Sequence, residues 1–205
     1  MRIVLVRHGE TDWNQSGRFQ GQEDVYLNQR GLVQAREIAI AVAALKLAAL
    51  YSSPLRRTMQ VADEIARLVG LPVIKCEDFR ELALGDLEGV TGQEMRTRWP
   101  QVYDTWRTDP AKLVMPNGES LVQLQKRTWK AILDLEQAHG QNDIVAVVSH
   151  NFAIRAVVGK LLGMPLSNFH RMSLDLASTC TIELDHRGRR LIQYNCTGHL
   201  SPENI

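Results

Sequence analysis

Cysteine is scarce in this chain. Only Cys76, Cys180 and Cys196 occur in 205 residues. Their odd number and wide spacing fit neither a disulfide framework nor a zinc pair, and point to a reducing, cytoplasmic compartment. Charge is nearly balanced at +1, which excludes a non-specific polyanion binder and argues against a nucleic-acid partner. No apolar run approaches the ~20 residues needed to span a bilayer, so no membrane partner is expected. The first residues read as a strand, with no signal-peptide pattern ahead of it. Several catalytic fingerprints are missing too: a P-loop Gly-Lys-Ser/Thr, a Gly-x-Gly-x-x-Gly, a His-Glu-x-x-His and a Gly-x-Ser-x-Gly. Repeats, low-complexity tracts and linkers are also absent, so residues 1–205 are expected to form one domain.

What is present is ordinary globular material, 44% hydrophobic and 23% charged, arranged as strands alternating with helices. Residues 3–6, 48–51 and 144–148 are strand-like, and the first and third are apolar throughout, as in a parallel sheet covered on both faces. Leu32, Ala35, Ile38, Ala39 and Val42 mark one face of a helix. Leu55, Met59, Ala62, Ile65, Ala66 and Val69 mark another, with Ser53 expected as its N-cap and Pro54 in its first turn. Gly70 ends that helix, and residues 71–74 read as a short strand. Ser120 and Gln123 form a capping box for a third helix carrying Leu121, Leu124, Thr128, Ile132 and Leu135, and residues 152–162 form a fourth. Residues 171–176, 178–184 and 190–195 read as further strands, some antiparallel, with a turn over 185–188. The expected fold is α/β, a three-layer α/β/α sandwich with a mostly parallel central sheet. The irregular stretch 85–118, rich in Gly, Pro and Trp, is expected to form short helices capping a site, its tryptophans packed as core.

In open α/β sheets ligands bind beyond the carboxyl ends of the strands. Arg7-His8, Ser52-Ser53 with Arg56-Arg57, Arg80-Glu81 and Ser149-His150-Asn151 all fall there. Arginines converging with helix N-termini make a pocket for phosphate or carboxylate. A histidine at such a place can be a nucleophile, a base or a metal ligand. Metal hydrolysis needs several oxygen and histidine ligands. Here only Glu10, Asp12 and Glu81 are candidate carboxylates, among arginines that repel a cation, so no metal is expected. What remains is histidine attacking phosphorus, arginines holding the equatorial oxygens, and a carboxylic acid protonating the leaving oxygen. That acid needs a pKa raised by burial and by the anionic substrate.

Arg7-His8-Gly9-Glu10-Thr11 with Asp12-Trp13-Asn14 resembles the signature of the histidine phosphatase superfamily, the group named after the cofactor-dependent phosphoglycerate mutases. The likeness continues through residues 18–21, 27–31, 51–58, 80–82, 85–89, 117–120 and 148–151, in order along the chain. It implies a phosphoglycerate mutase-like fold and a role for each matching residue. His8 would be the nucleophile and transient phosphohistidine, and Glu81 the proton donor. Arg7, Arg57 and His150 would clamp the phosphoryl group, and Asn14 and Asn151 would add hydrogen bonds. Thr11, Gln20 and Gly21 would face the substrate. Glu10 would be a supporting partner, Glu88 a turn residue and Arg56 a solvated helix residue. His139, His170 and His186 match no motif and are read as surface or incidental.

The mutases usually carry a longer, more basic insertion after the acid motif. The short segment here, with Glu81-Leu82-Ala83-Leu84-Gly85-Asp86-Leu87-Glu88-Gly89, resembles the phosphatase branch, which includes metal-independent phosphoserine phosphatases. The tail Asn195-Cys196-Thr197-Gly198-His199-Leu200 is similar to that of the phosphoserine group and makes His199 a candidate substrate contact. Leu84 stands where part of that group places a loop histidine, a departure from the pattern. The expected function is therefore a metal-independent, cofactor-free phosphomonoesterase acting on a small phosphorylated metabolite such as phosphoserine. A cofactor-dependent mutase and a non-catalytic phosphate-binding module are the alternatives. The C-terminal strands at a sheet edge would allow a homodimer.

Overall fold

A strand that is apolar at every position must be covered on both faces, and this demand organises the protein. The computed structural model describes residues 1–205. Its strands are β1 (Arg2–Arg7), β2 (Ala49–Ser52), β3 (Val73–Lys75), β4 (Ile144–Ser149), β5 (Thr179–Asp185) and β6 (Gly188–Cys196). They form one six-stranded sheet in the order β3-β2-β4-β1-β5-β6. The first four strands pair in parallel, while β5 runs antiparallel to both β1 and β6.

The helices are α1 (Asp12–Gln15), α2 (Gln29–Ala43), α3 (Arg56–Val69), α4 (Gly92–Arg98), α5 (Pro100–Thr108), α6 (Leu121–Ala138) and α7 (Asn151–Leu161). Ile3 and Leu5 of β1 point to one side, where they pack with Val145, Val147, Ile132, Leu135, Ile154 and Val157 under α6 and α7. Val4 and Val6 point to the other and meet Ile38, Ala39, Val42, Val61 and Ile65 of α2 and α3. Alternation along one strand thus feeds two cores and yields the three layers. Burying each such side chain contributes about 1.5–3 kcal/mol. A third cluster joins Leu82, Leu84, Leu87, Met95, Met115 and Phe169, with Trp99 and Trp106 packed against it. Residues 85–118 therefore form the expected short helices, with those two tryptophans packed against core.

Two local expectations fail. Residues 171–176 are not a strand. The backbone there ends a 3-10 helix (Leu166–Arg171) and continues as a loop. Its polar groups are taken by side chains, with Arg7 Nη1 donating to Leu174 O and Asn195 Oδ1 accepting from Asp175 N at 2.7 Å. Ser53 is not a helix cap. Leu55 occupies the N-cap position of α3 without a side-chain bond, and the Ser53 hydroxyl lies 2.8 Å from His150 Nε2. By contrast, the Ser120–Gln123 capping box of α6 forms as read, and Gly70 ends α3 with φ at +72°.

Candidate active site

Three parallel strands end side by side, and their register brings distant residues together. Arg7 of β1 pairs with Ser149 of β4, and Ser52 of β2 with Val148. Hydrogen bonding continues one residue beyond: His8 N donates to Ser149 O at 3.2 Å and Ser53 N to Val148 O at 2.9 Å. His8 and His150 consequently face each other edge to face, ring centroids 5.3 Å apart. Gly9 is required by close approach, since a Cβ there would lie 2.7 Å from Gly31 O at the start of α2.

The His8 ring is fixed by its own neighbour. Nδ1 lies 2.7 Å from Gly9 O. A carbonyl can only accept, so Nδ1 carries the proton and Nε2 presents a lone pair. Burial, then the charges of Arg57 and Arg7, hold the His8 pKa well below its usual value. The ring is neutral at neutral pH, as a nucleophilic imidazole must be. His150 is fully buried, and burial followed by Arg57 depresses its pKa likewise.

Arg7 and Arg57 supply the positive charge. Burial lowers each to about 10, opposed by the charge of Glu81, so both stay cationic at neutral pH. Arg57 is anchored by Nη1 on Glu23 O and Nη2 on Gly21 O, both at 2.7 Å. The Nε atoms of Arg7 and Arg57 and the Nδ1 of His150 are buried without a partner. Orphaned buried polar groups cost about 1–3 kcal/mol each, a cost that a bound oxyanion within reach of them would relieve.

Glu81 sits at the N-terminus of α7. Its carboxylate accepts from Leu82 N (2.8 Å), Phe152 N (3.1 Å) and Ala153 N (3.2 Å). Burial outweighs these bonds and raises its pKa. Its loop is stapled from behind by Arg127, which donates to the carbonyls of Asp78, Arg80 and Glu81 and pairs in bidentate fashion with Glu119.

Arg7, His8, Asn14, Arg18, Gln20, Gly21, Arg57, Glu81 and Asn151 line one pocket of about 110 Å³, with Phe19, Leu84 and Phe152 as its apolar side. No group of three or more His, Cys, Asp or Glu side chains stands close enough to hold a metal ion. The arrangement is suited to a tetrahedral dianion beside a neutral imidazole and a protonatable carboxyl group.

A family description, histidine phosphatase superfamily (branch 1), matches residues 3–197. The chain belongs to that superfamily. It is 36% identical over 200 residues to phosphoserine phosphatase 1 of Hydrogenobacter thermophilus, covering 98% of this chain and 94% of that one. It is also 36% identical over 180 residues to a metal-independent phosphoserine phosphatase of Arabidopsis thaliana, covering 82% and 75%. Among solved structures, a phosphoserine phosphatase mutant from Entamoeba histolytica in complex with phosphoserine superposes with a TM-score of 0.87, at 29% identity over 98% of this chain and 99% of that one.

Within this histidine phosphatase, two residues expected at the substrate lie elsewhere. Thr11 is fully buried and caps α1, its hydroxyl bonded to Asn14 Oδ1 at 3.0 Å and accepting from Asn14 N. It serves Asn14, whose Oδ1 is thereby occupied and whose amide nitrogen is left for the pocket. His199 is turned away, with Nε2 2.9 Å from Ala177 O, so its partner is the backbone before β5 and not the pocket. Glu10 binds Asn28 and Arg30, Glu88 accepts from Gln22 N and Leu84 N, and Arg56 pairs with Asp24 at the surface. His170, exposed as expected, is tied to Trp106 O at 2.7 Å, and the half-buried His139 to Tyr51 at 3.0 Å. Sequence reading placed Ser53 at the strand ends but not against His150, and it missed Arg127 altogether. Arg127 lies in a plain helical face, and its partners are up to 49 positions away, which leaves no local pattern.

Proposed function

We propose that the protein is a metal-independent phosphomonoesterase in which His8 is the nucleophile and Glu81 the general acid. The neutral His8 with a free Nε2, within the field of Arg7 and the fully buried Arg57, carries this reading. The non-bridging oxygens of the ester would lie on Arg7, Arg57 and His150, with Asn14 and Asn151 adding hydrogen bonds. His8 Nε2 attacks phosphorus as the P–O ester bond breaks, and Glu81 gives its proton to the departing alkoxide. The substrate's negative charge raises the Glu81 pKa further and keeps it protonated until that moment. In the second half, the Glu81 carboxylate takes a proton from water. The resulting hydroxide attacks the phosphohistidine and releases phosphate, restoring both groups.

The leaving group would face Phe19, Leu84 and Phe152, with Arg18 available at the rim. Residues 85–118 pack behind this wall and act as its cap. The relatives named for phosphoserine make phosphoserine the first substrate to assay, together with other small phosphorylated metabolites, with soluble cytoplasmic protein as the working form. A panel of phosphomonoesters assayed with chelator present tests the reading: free phosphate should appear at an undiminished rate. Chelator-sensitive turnover restored by added metal, or transfer of phosphate between phosphoglycerate isomers without net release, would contradict it.

A further inference from the structure

Both histidines at the sheet edge are neutral, and a neutral imidazole can donate from one nitrogen only. For His8 the choice is made by Gly9. For His150 no carbonyl is available: its Nε2 meets the Ser53 hydroxyl at 2.8 Å, and its Nδ1 is buried without a partner. Ser53 and His150 are both completely buried from bulk solvent. Ser53 Oγ also accepts, at 3.4 Å, from the backbone N–H of Leu55. The hydroxyl proton has one acceptor within reach, His150 Nε2.

We infer that Ser53 is a positioning residue that sets the tautomer of His150, donating to Nε2 so that the ring proton sits on Nδ1 and can be given to a phosphoryl oxygen. The opposite tautomer is doubly unfavourable. It would leave the buried Ser53 hydroxyl proton without an acceptor, and it would aim the Nδ1 lone pair at an anionic oxygen. Protonating the ring would also supply a donor, but burial beside Arg57 and Arg7 opposes that charge. The serine thus lets a neutral histidine act as an anion donor. The inference rests on the phosphatase reading for its catalytic consequence, though not for the tautomer itself.

The test uses the full-length protein labelled with 15N-histidine. Two-bond 1H–15N correlation spectra at neutral pH, with and without inorganic phosphate, should show His150 protonated at Nδ1 in the wild type. Ser53→Ala should shift the ring toward Nε2–H or a mixture. It should also weaken phosphate binding and lower kcat/KM by about ten- to a hundredfold, with substantial recovery in Ser53→Thr. A wild-type ring protonated at Nε2 overturns the inference without needing any variant to fold. So does a folded Ser53→Ala protein that keeps Nδ1–H and full phosphate affinity. If the wild type hydrolyses no monoester yet shows Nδ1–H and binds phosphate through it, the phosphatase reading fails and the tautomer assignment stands.

Discussion

The two histidine loops occupy equivalent places, one beyond β1 and one beyond β4, yet they are built differently. The His8 ring is oriented by the carbonyl of the next residue. The His150 ring is oriented by a hydroxyl 97 positions away. A nucleophile must present a lone pair, and the nearest backbone carbonyl secures that locally. A donor to phosphate must instead turn its protonated nitrogen to the substrate, and in the reading proposed above a side chain from the neighbouring strand end keeps that proton on Nδ1. Both rings then carry the proton on Nδ1, and the two proposed tasks are divided by which nitrogen is left for the phosphoryl group, Nε2 in His8 and Nδ1 in His150.

The largest effect that separates the loops is expected at His8. His8→Ala should lower turnover at least ~10,000-fold, measured as phosphate release, whereas His150→Ala should leave slow turnover, since it removes a donor and not the reacting atom. Next comes Glu81→Gln, which should cost about 100- to 10,000-fold on alkyl phosphates. The loss should shrink on aryl phosphates, whose leaving group needs no proton. An equal loss on both would remove Glu81 from the acid role.

Legibility in the sequence follows the same division between local and distant causes. The strands at 3–6 and 144–148 could be read because every position is apolar, and the α6 start because Ser120 and Gln123 are three residues apart. The loop at 171–176 could not, since Met172, Leu174 and Leu176 alternate like a strand. What prevents one is capture of the backbone by Arg7 and Asn195. Ser53 next to Pro54 looks like a helix cap, yet α3 is capped at Leu55 and the Ser53 hydroxyl meets His150. Thr11 lies within the signature yet faces its own helix. Residue type and strand ends indicated which groups could meet, while ring orientation, tautomer and the Arg127 staple came from contacts between remote segments.

A mid-sized effect tests that staple. Arg127→Ala should destabilise the fold by roughly 2 kcal/mol or more, read by denaturant unfolding. It should also lower kcat more than it raises KM, because the Glu81 loop loses its anchor. A stable variant with full kcat would contradict this. The pH dependence of stability probes both histidines at once. Their folded pKa values lie below the unfolded value of 6.5, so the unfolded state binds more protons as pH falls through that value. Stability should drop on acidification below about pH 6.5, by up to about 1.4 kcal/mol per pH unit for each histidine. Glu81, raised above 4.5, opposes this slope with one group against two. Thermal unfolding between pH 7.5 and 5.5 should show the fall, and His150→Gln should flatten it. The smallest effect is expected at His199, where alanine should change kcat/KM less than about twofold; a marked rise in KM would return it to the substrate.

Rapid acid-free quenching of a single turnover with 32P-labelled substrate addresses the central claim directly. The account predicts a transient, acid-labile phosphate on His8, located by peptide mass spectrometry and absent from His8→Ala. Turnover with no protein-bound phosphate, or with phosphate on any other residue, would contradict it.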